Sequence, residues 1–285
     1  MNYLSHFGLK EAPFGITPDT SFFFACRGSQ AALNTLLVAI SNGEGFLKIT
    51  GEVGTGKTLL CRKLLGTLDE RWVTGYIPNP SFEARSLMLA LAEELEIWVD
   101  PGVDQHRLLR SITKELLDLA RGNKRVVLCL DEAQAMPLET LEALRLLTNL
   151  ETEKRKLLQV VLFGQPELDS KLQSEAIRQL RQRIMFEQRL VGLAKDEVGS
   201  YVSHRLAVAG YSRTPLLHAP ALSALHWASR GVPRLVNILM HKAMLLAYGE
   251  NSRMVEKRHL SAAAEDTPSA TPQRRWWWPV LRASN

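Results

Sequence analysis

Residues 51–58 read GEVGTGKT and follow the apolar run FLKIT (46–50). No other stretch constrains the fold as tightly. Glycines at this spacing ahead of a lysine and a threonine let backbone N–H groups face phosphate oxygens. A helix must follow, so that its positive end also points at the anion. The run TLLCRKLLGTL (58–68) supplies it. Lys57 would reach the β and γ phosphates of a nucleotide, and Thr58 would hold Mg²⁺. The expected nucleotide contacts are Gly51, Glu52, Val53, Gly54, Thr55, Gly56, Lys57, Thr58 and Leu59.

Most of the chain alternates as such a loop requires. Apolar runs stand at FLKIT, WVTGYI (72–77), RVVLCL (125–130), LLQVVLF (157–163) and RIMFEQRL (183–190). Helical patterns separate them, among them SLMLALAEELEI (86–97) and LLRSITKELLDLA (108–120). Strands alternating with long amphipathic helices predict an α/β fold over 31–192, with a doubly wound, mostly parallel sheet. From 193 to 264 the pattern is helical throughout (AKDEVGSYVSHRLAVAG, HAPALSALHWASR, VPRLVNILMHKAMLLAYG), which predicts a small all-helical lid domain. Residues 1–30 form an N-terminal segment rich in Phe, Pro and Gly. Residues 265–285 read as a polar linker, DTPSATPQ, followed by the Arg/Trp-rich tail RRWWWPVLRASN.

Two acids end the third strand run, in VVLCLDEAQ (126–134). Ligands bind at the carboxyl edge of open α/β sheets. Asp131 would therefore serve Mg²⁺ there, and Glu132 would polarise an attacking water. A strand followed by a helix-capping acid is the plainer alternative. Gln165, in FGQPEL (163–168), lies just past the fourth strand, where it can touch the γ phosphate or the water; a plain turn at Gly164–Pro166 is the alternative. In AIRQLRQRIMFEQRL (176–190), Arg178 reads as part of a solvated helix face. For Arg183 two readings stand: the same face, or positive charge supplied to a neighbouring subunit's nucleotide. SRGVPRLVNIL (229–239) puts Arg234 at a helix start fixed by Pro233. A cation is disfavoured at that end of the helix dipole, which invites a phosphate as its partner.

Composition narrows the class. The chain has 285 residues, 46% hydrophobic, enough for a sizeable core. A net charge of +5 permits nucleic acid or anionic lipid without requiring either. Cys26, Cys61 and Cys129 are odd in number, lack metal spacing and have apolar flanks, as in a reducing compartment. The start MNYLSHFGLKEAPFG has no secretory pattern, and no run approaches the roughly 18–20 apolar residues of a membrane span. A cytoplasmic location is expected. Trp276, Trp277 and Trp278 beside Arg274 and Arg275 suit a membrane–water interface, so peripheral membrane contact is part of that expectation.

GEVGTGKT, CLDEAQ, GQPEL, LRQRI and RGVPR, in this order, resemble the AAA+ ATPases. YLSHFGLKEAPFGITPDTSFFF is similar to the start of the ExeA/GspA subfamily, ATPases of secretion and pilus systems. The resemblance covers residues 1–264. It implies ATP and Mg²⁺ as cofactors, with Lys57 and Thr58 as phosphate and metal ligands, Asp131 as the metal-linked acid and Glu132 as the base. It implies Gln165 as first sensor, Arg234 as lid sensor and Arg183 as trans-acting finger, with Arg181 as fallback. Gln165 departs from the Asn, Ser or Thr usual in AAA+ proteins. The implied function is ATP hydrolysis that drives or gates a type IV (mannose-sensitive haemagglutinin) pilus or related secretion machinery. The implied partners are further copies of the chain, in a ring or dimer, and inner-membrane components of that machinery. A DNA-binding AAA+ regulator is the alternative. Nucleic acid is the less favoured partner, because no winged-helix segment follows the lid and no basic stripe is concentrated.

Overall fold

The computed structural model describes residues 3–100, 102–151, 155–213 and 215–271. The chain divides into two compact units, Pro18–Val191 and the described parts of Met1–Thr17 with Gly192–Asn285. Residues 1–30, expected as one segment, are thus shared between the two.

The second unit is helical. It holds α1 (Tyr3–Phe7) and, further along the chain, α9 (Lys195–Val208), α10 (Ala219–Ser229), α11 (Pro233–Gly249) and α12 (Lys257–Glu265). The N-terminal segment belongs here for a packing reason. Phe7, Leu9 and Phe14 are buried. Buried Arg205 on α9 donates to the Pro13 carbonyl at 2.5 Å, and Asn237 on α11 donates to the Gly15 carbonyl at 3.0 Å. Lys10 N–H donates to the Ala209 carbonyl at 2.9 Å. Residues 266–271, expected as a linker, also pack here: Thr267 and Ala270 are buried, and Lys242 reaches the Asp266 carboxylate at 2.8 Å. The tryptophans of the tail lie outside the described residues.

The α/β unit contains α2 (Arg27–Asn42), β1 (Phe46–Gly51), α3 (Lys57–Leu65), β2 (Trp72–Ile77), α4 (Ala84–Glu94) and α5 (Gln105–Arg121). It continues with β3 (Arg125–Leu130), α6 (Leu138–Leu147), β4 (Leu158–Gly164), α7 (Glu167–Leu172), α8 (Arg178–Arg181) and β5 (Ile184–Leu190). All strands are parallel, in the order β2-β3-β4-β1-β5. β1 and β4 are buried along their whole length, which is why their sequences are nearly continuous apolar runs. The expected helix 86–97 ends earlier, at Glu94: Glu96 turns left-handed (φ 56°) and Ile97 N–H closes on the Ala92 carbonyl.

Alternation sends side chains to two cores. Leu47, Ile49, Val127, Cys129, Val161 and Phe163 pack with α2 and α3 on one face. Phe46, Val126, Leu128, Val160 and Leu162 pack with α4–α8 on the other. The helix after β1 therefore lies on one face and the helix after β4 on the opposite face. The carboxyl ends of these adjacent strands form the switch point at which open α/β sheets take ligands.

Candidate active site

Three neighbouring strand ends meet at this switch point. β1 runs into the glycine loop, whose tight course uses left-handed backbone at Gly54 (φ 83°) and Gly56 (φ 98°). Side chains rarely tolerate that conformation. Gly56 caps α3, so the first N–H groups of that helix face the loop. Lys57 is buried, and its ammonium donates to the carbonyls of Gly51 (2.8 Å) and Glu52 (3.2 Å). Burial lowers its pKa, against the opposing charges of Glu132 and Asp131.

β3 delivers Asp131, 2% exposed, whose Oδ2 accepts from the Thr58 hydroxyl at 2.6 Å. Its Oδ1 accepts from Glu132 N–H at 2.9 Å. Burial pushes the Asp131 carboxyl above the ordinary aspartate range although both bonds favour its charged form. The Thr58 and Asp131 oxygens lie adjacent and are the hard donors that Mg²⁺ prefers. Among the described residues no cluster of three or more His, Cys, Asp or Glu could hold a metal by itself. The donor set thus fits an ion held jointly with substrate phosphates and water.

Glu132 sits in a left-handed backbone conformation (φ 54°) that ends β3 abruptly. Its Oε2 accepts from the Gln134 amide at 2.6 Å and from the Gln165 amide at 3.1 Å. Burial alone would raise this carboxyl, but those two amides and the Lys57 charge hold it below the usual glutamate range. Lys57, Thr58, Asp131, Glu132 and Gln165, scattered over more than a hundred positions, are therefore neighbours in one hydrogen-bonded or charge-coupled cluster.

The arginines are placed differently. Arg183 lies half-buried between α8 and β5, and after Lys156 its charge helps hold the Glu151 carboxyl below the usual glutamate range. Arg181 is exposed and lines a cavity of about 450 Å³ with Lys48, Asp169 and Glu187. Arg178 faces Glu175 at 3.8 Å in an exposed pair, the solvated-face arrangement. Arg234 is exposed at the start of α11, in the helical unit. Sequence reasoning missed two side chains. Gln134 was legible only as part of CLDEAQ, two positions after Glu132. Tyr76, whose hydroxyl lies 3.5 Å from Asp131 Oδ2, carried no signal, because its place depends on β2 pairing with β3. Burial and then the Asp131 charge push the Tyr76 phenol up to about 12.

A family profile described as an AAA domain matches residues 40–172, which hold the glycine loop, both acids and Gln165. The α/β unit has the AAA+ P-loop fold. General secretion pathway protein A of Aeromonas hydrophila is similar to it, 39% identical over 274 residues, or 96% of this chain and 50% of the relative. The chain thus spans about half the length of the curated relative it matches. Solved structures carry the same AAA+ fold. The Aeropyrum pernix ORC2 protein in ADPNP–ADP complexes has a TM-score of 0.64 at 16% identity, covering 86% of this chain and 68% of that one. Cdc6p from Pyrobaculum aerophilum has a TM-score of 0.65 at 16% identity, covering 88% and 71%. The RuvB Holliday junction branch migration motor of Thermotoga maritima has a TM-score of 0.54 at 15% identity, covering 84% and 68%. These are likenesses of the AAA+ fold alone. No helix among the described residues is long and apolar enough to cross a membrane.

Proposed function

We propose that this AAA+ ATPase hydrolyses ATP to drive or gate assembly of a type IV pilus of the mannose-sensitive haemagglutinin kind, an MshM-like role, or of related secretion machinery. The observation that carries the reading is the 39% identity to General secretion pathway protein A across 96% of the chain. The clustered site supports hydrolysis as the chemistry.

In this reading the loop amides and Lys57 bind the phosphates. Thr58 and Asp131 would hold Mg²⁺, which when bound would supply neutralisation of the phosphate charge. Glu132 takes a proton from water as the oxygen attacks the γ phosphorus; the bridging P–O bond breaks and ADP leaves with the electron pair. Gln165, bonded to Glu132, orients the water or the γ phosphate. Arg183 acts on a neighbouring copy's nucleotide in a ring or dimer, and Arg234 takes the lid-sensor role. Inner-membrane machinery is the partner that receives the change. The tail tryptophans Trp276, Trp277 and Trp278 contribute peripheral membrane contact. Deleting residues 274–285 should then reduce liposome flotation, and equal partitioning of both forms removes that contact.

The deciding experiment measures specific ATPase activity against protein concentration, with mass measurement of Glu132→Gln with and without ATP and Mg²⁺. Activity per molecule should rise with concentration, and ATP should assemble the variant into one defined oligomer. Arg183→Ala should abolish the rise and leave ATP affinity intact. A flat concentration profile with a monomeric Glu132→Gln variant would refute the shared-site reading.

A further inference from the structure

Gln134 has the geometry of a working part that the hydrolysis scheme above does not use. It lies on a short 3-10 turn, Ala133–Ala135, that follows Glu132 directly. Its side-chain carbonyl accepts from the backbone N–H of Gln165 at 2.9 Å. A backbone N–H can only donate, so this bond fixes which end of the amide is which. The NH₂ end must then face the other way, and there it meets Glu132 Oε2 at 2.6 Å. One side chain thus grips the acid at the end of β3 and the main chain at the end of β4.

The surroundings keep the grip in place. Lys171 on α7 donates to the Gln134 carbonyl at 2.5 Å and the Met136 carbonyl at 2.6 Å, which pins the turn to the helix that follows Gln165. Gly164 is the last residue of β4, and a Cβ there would come 2.7 Å from Leu168 and 3.3 Å from the Gln134 side-chain oxygen. A side chain there would push on both Leu168 and the Gln134 amide. Among the described residues, the hydrogen bonds to the Glu132 carboxylate come from Gln134 and Gln165, and both land on Oε2. That leaves Oε1 to take the proton of a water.

We propose that Gln134 is a positioning residue for hydrolysis: its amide locks the Glu132 carboxylate and the Gln165 main chain into one rigid unit, so that base and γ-phosphate contact are aimed together. The proposal rests on the reading of Glu132 as the base. A carboxylate on a single flexible side chain samples many rotamers, and a base displaced by about 1 Å from its productive geometry can forfeit about two orders of magnitude in rate. The bonds from Gln134 and Gln165 remove that freedom before substrate arrives.

The test uses Gln134→Glu in the full chain. The replacement has the same shape and keeps the acceptor for Gln165 N–H, but it turns a carboxylate toward Glu132 where a donor stood. We expect kcat to fall about tenfold or more, with KM and the affinity for a fluorescent ATP analogue changed by less than about twofold. Gln134→Met, which removes both arms at similar length, should behave alike and serves if the first variant does not fold. On a Glu132→Gln background neither change should slow the residual rate further, since a mis-aimed base that is already absent costs nothing. A wild-type kcat in Gln134→Glu, or a loss that adds in full to Glu132→Gln, overturns the proposal. So does a fall in ATP affinity and melting temperature at unchanged kcat per folded molecule, which marks a merely structural role. Glu132→Gln at the wild-type rate would instead refute the base itself, so the two failures are separable.

Discussion

Thr58→Val removes one hydroxyl from the site and keeps the branched shape, so its consequences can be worked from one bond. That bond runs from the Thr58 hydroxyl to Asp131 Oδ2 at 2.6 Å, against an acid only 2% exposed. A hydrogen bond to a buried charged acceptor contributes about 1.5–3 kcal/mol. Asp131 would retain the Glu132 N–H at 2.9 Å, with the Tyr76 hydroxyl at 3.5 Å, so the loss is partial and the lower half of that range applies. In denaturant melts without nucleotide, Thr58→Val should therefore be about 1.5–2 kcal/mol less stable than wild type at neutral pH. Thr58→Ser, which keeps the donor, should lie within about 0.5 kcal/mol.

The pH dependence carries a sign. The hydroxyl favours the ionised carboxylate, so its contribution is full above the Asp131 pKa and is lost as pH falls through it. Burial places that pKa above the ordinary aspartate value of about 3.9, so wild type and Thr58→Val should begin to converge above that pH. With ATP present, the variant should need about tenfold more Mg²⁺ for half-maximal turnover, the scale of a lost or misaligned metal contact. Equal stability of the Val and Ser variants at neutral pH, with unchanged Mg²⁺ dependence, would refute the reasoning.

Three further outcomes are expected. Arg205→Met should release the N-terminal segment without melting the helical unit; by hydrogen exchange, the Lys10 amide should lose about tenfold or more in protection while core amides of α11 hold theirs. A thiol reagent should modify half-buried Cys26 readily and reach Cys61 and Cys129 only in denaturant, because both are fully buried and the neighbouring Cys129 thiol, with burial, raises the Cys61 pKa. Leu162→Ala, in the strand buried on both faces, should cost about 2–5 kcal/mol in denaturant melts, and a loss below about 1 kcal/mol would count against its place in the core.

The sheet was legible because it is buried. FLKIT, RVVLCL and LLQVVLF are mostly apolar and buried on both faces, and each forms a strand within a residue of the expected bounds. The glycine loop was legible because phosphate binding demands residues without side chains at set intervals, and Asp131 and Glu132 because they end an apolar run. The N-terminal segment was not legible as part of the helical unit. Its Phe and Pro residues announce burial, but the partners that bury it, Arg205 and Asn237, lie about two hundred positions away. Residues 266–271 misled for the converse reason: Thr, Pro and Ser resemble a linker, yet Thr267 and Ala270 find a surface to pack against.

By itself, then, the sequence determined that a parallel α/β sheet forms and that a glycine-rich loop joins β1 to α3. Those properties depend on local periodicity and on backbone freedom at particular glycines, and both are written in adjacent residues. The strand order was decided only in three dimensions. β1 lies between β4 and β5, and this places Gln165 and Glu132 beside a loop more than seventy residues away. Gln134 acquired its role the same way. Its amide counts only because parallel pairing of β3 with β4 brings two strand ends within a side chain's length of each other, and such proximity leaves no trace in either stretch taken alone.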